Sequence, residues 1–440
     1  MEQRKRIKTD DETASSSQER NKQVSFLDLP EEVFKEICLF LDASTLFTLN
    51  QVCTRFRTIL YDFIVWKKKI RQIWPNVSYP ILNPGHYLIL VPYLKWHIIY
   101  IRSDIISDDR DIQFWKRSCL AIEKQKALYE NAELVDCLTE IDTYERKTSE
   151  LFTNGRLLLM DNGTGYITVD GQNLIYKKFG LLKESYEIYS GHTDWIFDLT
   201  MRKNIIYSCS NEENIKSWEI AEVGLKQQMT HKIKLDMLSD CPILLSSCSE
   251  HTRFAVGSLF GNIFVLDSRE KNSIMQYQPS NEIASITTLT MNSEYILSSY
   301  LNKISVYEQK ATKVMKIIPM PSNVAYMNMQ QDCVWVGDEN NKLHVLDPKK
   351  DFELVKSYSI GHTRRITGVC LTHGKLITSS TDGTVRISSP TNPPQHINCF
   401  NFETFLPNQQ ITNMDYKNGV LGICDYKKII IYQSNYSRKD

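Results

Sequence analysis

Asn214-Ile215-Lys216-Ser217-Trp218-Glu219 is a six-residue phrase: a polar residue leaving a turn, alternating side chains, a bulky fifth residue and an acid in the sixth place. The phrase returns as Asn262-Ile263-Phe264-Val265-Leu266-Asp267, Lys303-Ile304-Ser305-Val306-Tyr307-Glu308 and Lys342-Leu343-His344-Val345-Leu346-Asp347. Looser copies are Thr384-Val385-Arg386-Ile387-Ser388-Ser389 and Lys428-Ile429-Ile430-Ile431-Tyr432-Gln433, and an earlier one is read at Gly165-Tyr166-Ile167-Thr168-Val169-Asp170. Val, Ile and aromatic residues in short runs, bounded by Gly, Asn, Asp and Ser, read as β-strands. The fifth positions (169, 218, 266, 307, 346, 388 and 432) are separated by 39 to 49 residues. A four-stranded propeller blade takes about 40–45 residues. Seven copies therefore predict a closed ring of seven blades over residues 132–436.

A ring left open would present two sheet edges to other chains. The strand that completes the last blade has to come from ahead of the first copy, and Leu134 to Ile141 is the candidate. Truncation at about residue 145 is then expected to destroy the propeller.

Upstream, residues 24–73 change to a helical period. Pro30 sits at a first turn, where its missing N–H costs nothing, and Glu31 and Glu32 complement the helix dipole. Val33, Phe34, Ile37, Cys38 and Leu41 follow as one wide apolar stripe. Asp42-Ala43-Ser44 supplies a stop and a new cap. A second helix is read through Leu46, Leu49, Val52, Cys53, Phe56 and Leu60, and a third carries Phe63 and Trp66. Three such helices bury little surface alone, so a partner is expected to complete their core. A self-contained helical domain is the other reading. Residues 1–23 are polar and read as a disordered tail. Its run Arg4-Lys5-Arg6-Ile7-Lys8 is either solvated tail or a nuclear import signal. Residues 74–131 form a mixed connector in which Ile112 to Tyr129 reads as helical, and Trp96 and Trp115 mark it as packing onto a neighbour.

The 440 residues carry 52 basic and 52 acidic side chains, a balance that argues against nucleic acid as partner. No apolar h-region opens the chain, and Tyr79 to Ile101 is interrupted by Pro80, Pro84, Pro92, Lys95 and His97, so no membrane segment is expected. The eleven cysteines include no CxxC pair and read as buried thiols of a cytoplasmic or nuclear protein, with no metal. No phosphate loop, nucleophile elbow or HExxH motif is present. The chain is accordingly expected to be no enzyme and to need no cofactor.

Two repeats resemble the WD family more fully. Gly191-His192-Thr193 precedes Trp195-Ile196-Phe197 with Trp218-Glu219 closing the repeat, and Gly361-His362-Thr363 precedes the turn Thr381-Asp382-Gly383-Thr384. By that resemblance His362, Thr378 and Asp382 form a structural hydrogen-bonded network, although Ser388 replaces the closing Trp. His192 and His362 are read as structural rather than catalytic. The helical module resembles the F-box, with Leu29-Pro30, Ile37, Leu41, Leu46, Val52-Cys53, Phe56 and Trp66 in the family's order. The chain as a whole is similar to the F-box/WD-repeat class of ubiquitin-ligase receptors. The fold expected is α+β and multidomain: a small all-α F-box followed by a seven-bladed WD40-type propeller.

That resemblance implies a positional function: an F-box bound to a Skp-type adaptor, a cullin and RING subunit reached through it, and a propeller that holds an unknown protein substrate. Leu29, Pro30, Ile37, Leu41, Leu46, Val52, Cys53 and Trp66 would contact the adaptor. Trp195, Arg364 and Arg365, in the loops after Gly-His-Thr, would contact substrate, since Trp and Arg often carry binding energy. A propeller scaffold tethered by its F-box without directing degradation is the alternative. An RNA-binding propeller would need a basic, aromatic face that neutral charge disfavours.

Overall fold

The computed structural model describes residues 29–73, residues 116, 119, 120 and 123, and, with short gaps, residues 138–434. The polar tail, its basic run and most of the connector, Trp96 and Trp115 included, lie outside the described residues.

The N-terminal module holds four helices rather than three: α1 (Glu31–Phe40), α2 (Ala43–Val52), α3 (Thr54–Leu60) and α4 (Phe63–Ile73). Asp42 caps α2, its side chain accepting from the Thr45 N–H at 2.7 Å. Hydrogen bonds from Ser44 and Thr45 hold its pKa down to about 2. The expected second helix is cut at Cys53, whose backbone is extended (φ −152°, ψ 164°). Its Sγ accepts from the Phe56 N–H at 3.4 Å and so caps α3, a role the apolar spacing conceals.

Phe34 and Phe56 stack with centroids 4.6 Å apart at the centre of this module. Trp66 is fully buried and donates Nε1–H to the Leu60 carbonyl at 2.9 Å. The core does not wait for a partner: a helical stretch of the same chain closes it. Cys119 is fully buried in the cluster that holds Phe34, Leu46 and Trp66. Glu123 lies 3.0 Å from Lys69 and accepts from the Ala43 N–H. The Lys116 ammonium stands 5.6 Å from the Trp66 ring centroid. Positions 116, 119, 120 and 123 are the i, i+3, i+4, i+7 face of one helix.

Seven four-stranded antiparallel sheets follow, each a blade with its first strand innermost. Blade 1 comprises Leu157–Leu159, Gly165–Asp170, Asn173–Lys178 and Glu187–Ser190. Blades 2 to 6 repeat the plan with successive strands. Blade 7 takes Asn413–Lys417, Val420–Cys424 and Lys428–Ser434, and its fourth strand is Leu138–Glu145 from the other end of the domain. Leu138 pairs with Ser434 and Glu145 with Lys428. The closing strand thus runs to Glu145, beyond the expected Ile141.

Six of the seven phrases are third strands of their blades, but Gly165–Asp170 is a second strand. The third strand of blade 1 is Asn173–Lys178, which follows the Gly171-Gln172 turn. Gly165–Asp170 is buried at every position, so periodicity could not tell it from its neighbour. That misplacement inflated the first interval. The count of seven blades stands.

Adjacent blades bury apolar clusters between them, such as Ile377, Val385 and Ile387 of blade 6 against Leu421, Ile423 and Ile430 of blade 7. Near the axis, side chains bridge one inner strand to the next. Asp198 accepts from the Leu245 N–H at 2.8 Å, Gln330 from Leu371 at 2.7 Å, and Asp415 from Leu159 at 2.8 Å. Burial raises the Asp198 pKa against the opposing pull of Arg156, which stands 3.0 Å away.

Candidate functional site

Helix α1 divides its apolar residues between two faces. Phe34 and Cys38 point into the module's core. Pro30, Val33, Ile37 and Phe40, at spacings of three, four and three, form a second stripe that the module leaves open. Phe40 is 87 % exposed and Val33 44 %, and on α2 Val52 is 63 % exposed. Among the described residues nothing covers these large apolar side chains.

The eight residues expected at the adaptor therefore separate. Pro30 and Val52 are exposed, and Leu29, Ile37, Leu41 and Cys53 are half-buried. Leu46 and Trp66 are fully enclosed within the module, where they act as core. Sequence reasoning places Val33 in the apolar stripe but assigns neither it nor Phe40 to the contact set. Their signal was the width of the α1 stripe, broader than one small core can use.

On the propeller, the loops entering each inner strand share one face with the turns between second and third strands. Gly191 to Trp195 and Gly361 to Arg365 are two such entry loops. Each is anchored from beneath by its histidine. The His192 Nε2 is 2.6 Å from the Ser208 hydroxyl, which also accepts Trp218 Nε1–H at 2.9 Å. Its Nδ1 meets Glu212, whose other oxygen accepts the Thr193 N–H at 3.0 Å. Burial keeps the His192 pKa below its ordinary value. Burial works against the Glu212 carboxylate too, but hydrogen bonds from Lys216, Thr193 and His192 outweigh it and hold its pKa at about 2. In blade 6, His362 stands 3.0 Å from Thr378 and 3.1 Å from Asp382, which also accepts the Thr363 N–H at 2.9 Å. Both histidines are buried struts that fix the loops carrying Trp195, Arg364 and Arg365.

Trp195 is half-buried, while Arg364 and Arg365 are exposed. They lie on different blades, so the ring separates the tryptophan from the arginines rather than gathering them in one pocket. Two further struts carry no Gly-His signature. In blade 5 the histidine sits on the third strand: His344 meets Asp338 at 3.0 Å and Ser357 at 2.8 Å. In blade 3 the acid is in the entry loop, where Asp240 accepts from the Phe260 N–H at 3.0 Å and from Asn262 Nδ2 at 3.2 Å.

Residues 26–72 match the F-box-like family model. F-box/WD repeat-containing protein 9 of Homo sapiens is 24% identical over 385 residues, which cover 84% of this chain and 75% of that protein. The Bos taurus protein of the same name is 24% identical over 386 residues, with the same shares covered. Among solved structures, a chain of a mitotic checkpoint complex superposes with a TM-score of 0.54 at 10% identity, over 67% of this chain and 91% of that one, a likeness of fold alone. The chain joins an F-box-like domain to a seven-bladed WD-repeat propeller and is similar along most of its length to F-box/WD repeat-containing protein 9.

Proposed function

We propose that this protein is the substrate-recognition subunit of an SCF (Skp–cullin–F-box) ubiquitin ligase. The observation that carries the reading is an F-box-like module with an uncovered apolar stripe, joined to a propeller whose entry loops are rigidly strutted. In this reading, Pro30, Val33, Ile37, Phe40 and Val52 dock on a Skp-type adaptor, with Leu29, Leu41 and Cys53 at the margin. Leu46 and Trp66 hold that surface in shape from within. The cullin and RING subunits are reached through the adaptor. The propeller holds a protein substrate by the face that bears Trp195, Arg364 and Arg365.

The chain's part is then to raise the local concentration of substrate lysines near a charged ubiquitin carrier, not to perform chemistry. Affinity purification with mass spectrometry, comparing wild type with Leu29→Ala/Pro30→Ala, tests the reading. Adaptor and cullin are expected with wild type and not with the variant, while substrate candidates remain on both. Their absence from both baits would sink it.

A further inference from the structure

Blades 2 and 6 share one plan, and its failure in blade 6 leaves a cation unaccounted for. In blade 2, Lys216 lies across the sheet from Ser208, with its ammonium 2.8 Å from Glu212 and donating also to the Gly191 carbonyl. The Trp218 indole fills the space beneath Gly191: a Cβ added there would stand 2.1 Å from it. In blade 6, Arg386 occupies the matching register opposite Thr378.

The arrangement that serves Lys216 is not reproduced around Arg386. Ser388 stands in place of Trp218, and the guanidinium occupies the position under the glycine. A Cβ on Gly361 would lie 2.7 Å from Arg386 Nη1. Asp382 stands in place of Glu212, one methylene shorter, and its oxygens are taken by His362, the Thr363 N–H and Thr384. Among the described residues Arg386 has no hydrogen bond or ion pair, and its Nε–H is buried without an acceptor. His396, opposite Ser388, is an exposed diagonal neighbour of Arg386 on the fourth strand. Partial desolvation, and then the Arg386 charge, keep the His396 pKa below its ordinary value, so it adds no charge at pH 7.

A buried N–H without an acceptor in a native protein commonly marks a water or ion that is not seen. The Nε–H and adjacent Nη–H edge of a guanidinium matches the two oxygens of a carboxylate. One fixed positive charge balances one negative charge, which favours a carboxylate over a phosphate dianion. We propose that Arg386, beneath Gly361 in blade 6, forms a carboxylate-binding site, with the exposed His396 on the neighbouring strand at its edge. The site stands whether or not the propeller serves a ligase.

The test is side-chain NMR of the full-length protein with ¹⁵N-labelled arginine, following Nε–Hε resonances during titration with sodium acetate against sodium chloride. The Arg386 signal is assigned by Arg386→Lys. It is expected to shift saturably with acetate while those of Arg364 and Arg365 stay in place. An unmoved Arg386 signal, or parallel shifts of all exposed arginines, would overturn the site. Inorganic phosphate binding tenfold more tightly than acetate would overturn the carboxylate assignment. Ser388→Trp restores the blade 2 arrangement and is expected to abolish the acetate shift with the fold intact; a shift unchanged in that variant counts against the site. Acetyl-Ala-Glu-Ala-amide and acetyl-Ala-Ala-Ala with a free terminus then separate the two carboxylate sources. Competition by either supports the site, and competition by neither contradicts it.

Discussion

Asp142 and Lys177 meet at 2.6 Å across the joint where the ring closes, each side chain only 4 % exposed. Asp142 belongs to the closing strand and Lys177 to the third strand of blade 1. Two residues on, the Tyr144 hydroxyl donates to Asp170 at 3.0 Å. Two further on, Arg146 donates to the Val169 carbonyl at 2.9 Å and the Asp425 carbonyl at 2.8 Å. Alternate residues of one strand face one way, so these three side chains bolt the closing strand to the first blade as well as the seventh.

Removing one member of a buried pair strands the other charge, at a cost of about 3–5 kcal/mol. Asp142→Asn is expected to lower the stability of the full chain, read from urea denaturation, by that much. An apolar replacement of both partners is often neutral. Asp142→Leu with Lys177→Met should therefore recover most of the loss, and a double variant as unstable as the single would contradict this account.

The helical module separates buried from exposed apolar side chains. Leu46→Ala removes a fully buried side chain and is expected to cost about 2–5 kcal/mol of stability. Phe40→Ala, at an 87 % exposed position, should leave stability within about 0.5 kcal/mol. On the proposed function it weakens adaptor binding by about 2 kcal/mol, or roughly 30-fold. Thermal melts and surface plasmon resonance with purified adaptor would separate the two. Unchanged adaptor affinity in Phe40→Ala would remove the α1 stripe from the interface.

Acid should weaken the blade 2 strut in two stages. His192 has a folded pKa below its ordinary 6.5, so its contribution is complete above 6.5 and falls away as pH drops through the folded value. Glu212 has its pKa lowered from 4.5 to about 2, so its contribution is complete above 4.5 and is lost as pH falls towards 2. The second stage is on the order of 3 kcal/mol. Urea titrations of wild type and Glu212→Gln from pH 7 to pH 3 check this. The variant should be less stable at neutral pH and flatter below pH 4.5.

Gly191 and Trp218 should be energetically coupled. A methyl at 191 would stand 2.1 Å from the indole Cη2, an overlap worth about 1–3 kcal/mol. Trp218→Phe loses the Nε1 bond to Ser208, worth about 1 kcal/mol, besides its packing, but removes the clashing atom. The double variant should be more stable than the sum of the singles allows, by about 1 kcal/mol or more. Additive losses in chemical denaturation would refute the coupling.

The repeat was legible because third strands end in a bulky buried residue that packs between blades, as Trp218, Leu266, Tyr307 and Leu346 do. Gly165–Asp170 misled because second and third strands are alike buried along their interior positions, so the pattern does not tell one from the other. The His192 and His362 struts follow a local spelling. The His344 and Asp240 struts place the same chemistry on other strands, where only the fold brings the partners together. Leu46 and Trp66 were assigned to the contact surface because apolar spacing says that a side chain avoids water, not which neighbour covers it. The segment through Cys119 reads as a helix that packs onto a neighbour, but no local pattern names the module of Trp66 as that neighbour.

The pairing of Leu138 with Ser434 also sets a timetable. The strand that closes the ring leaves the ribosome first among the propeller's strands, and its partner leaves last. At about 5–20 residues per second, the interval is on the order of 15–60 s. Throughout it, Leu138–Glu145 has no partner strand and the growing stack of blades has an open edge. That period is the one in which an unpaired edge is open to other chains. A message cut short anywhere before the seventh blade yields a chain that cannot hide its first strand, and quality control can recognise it by that edge.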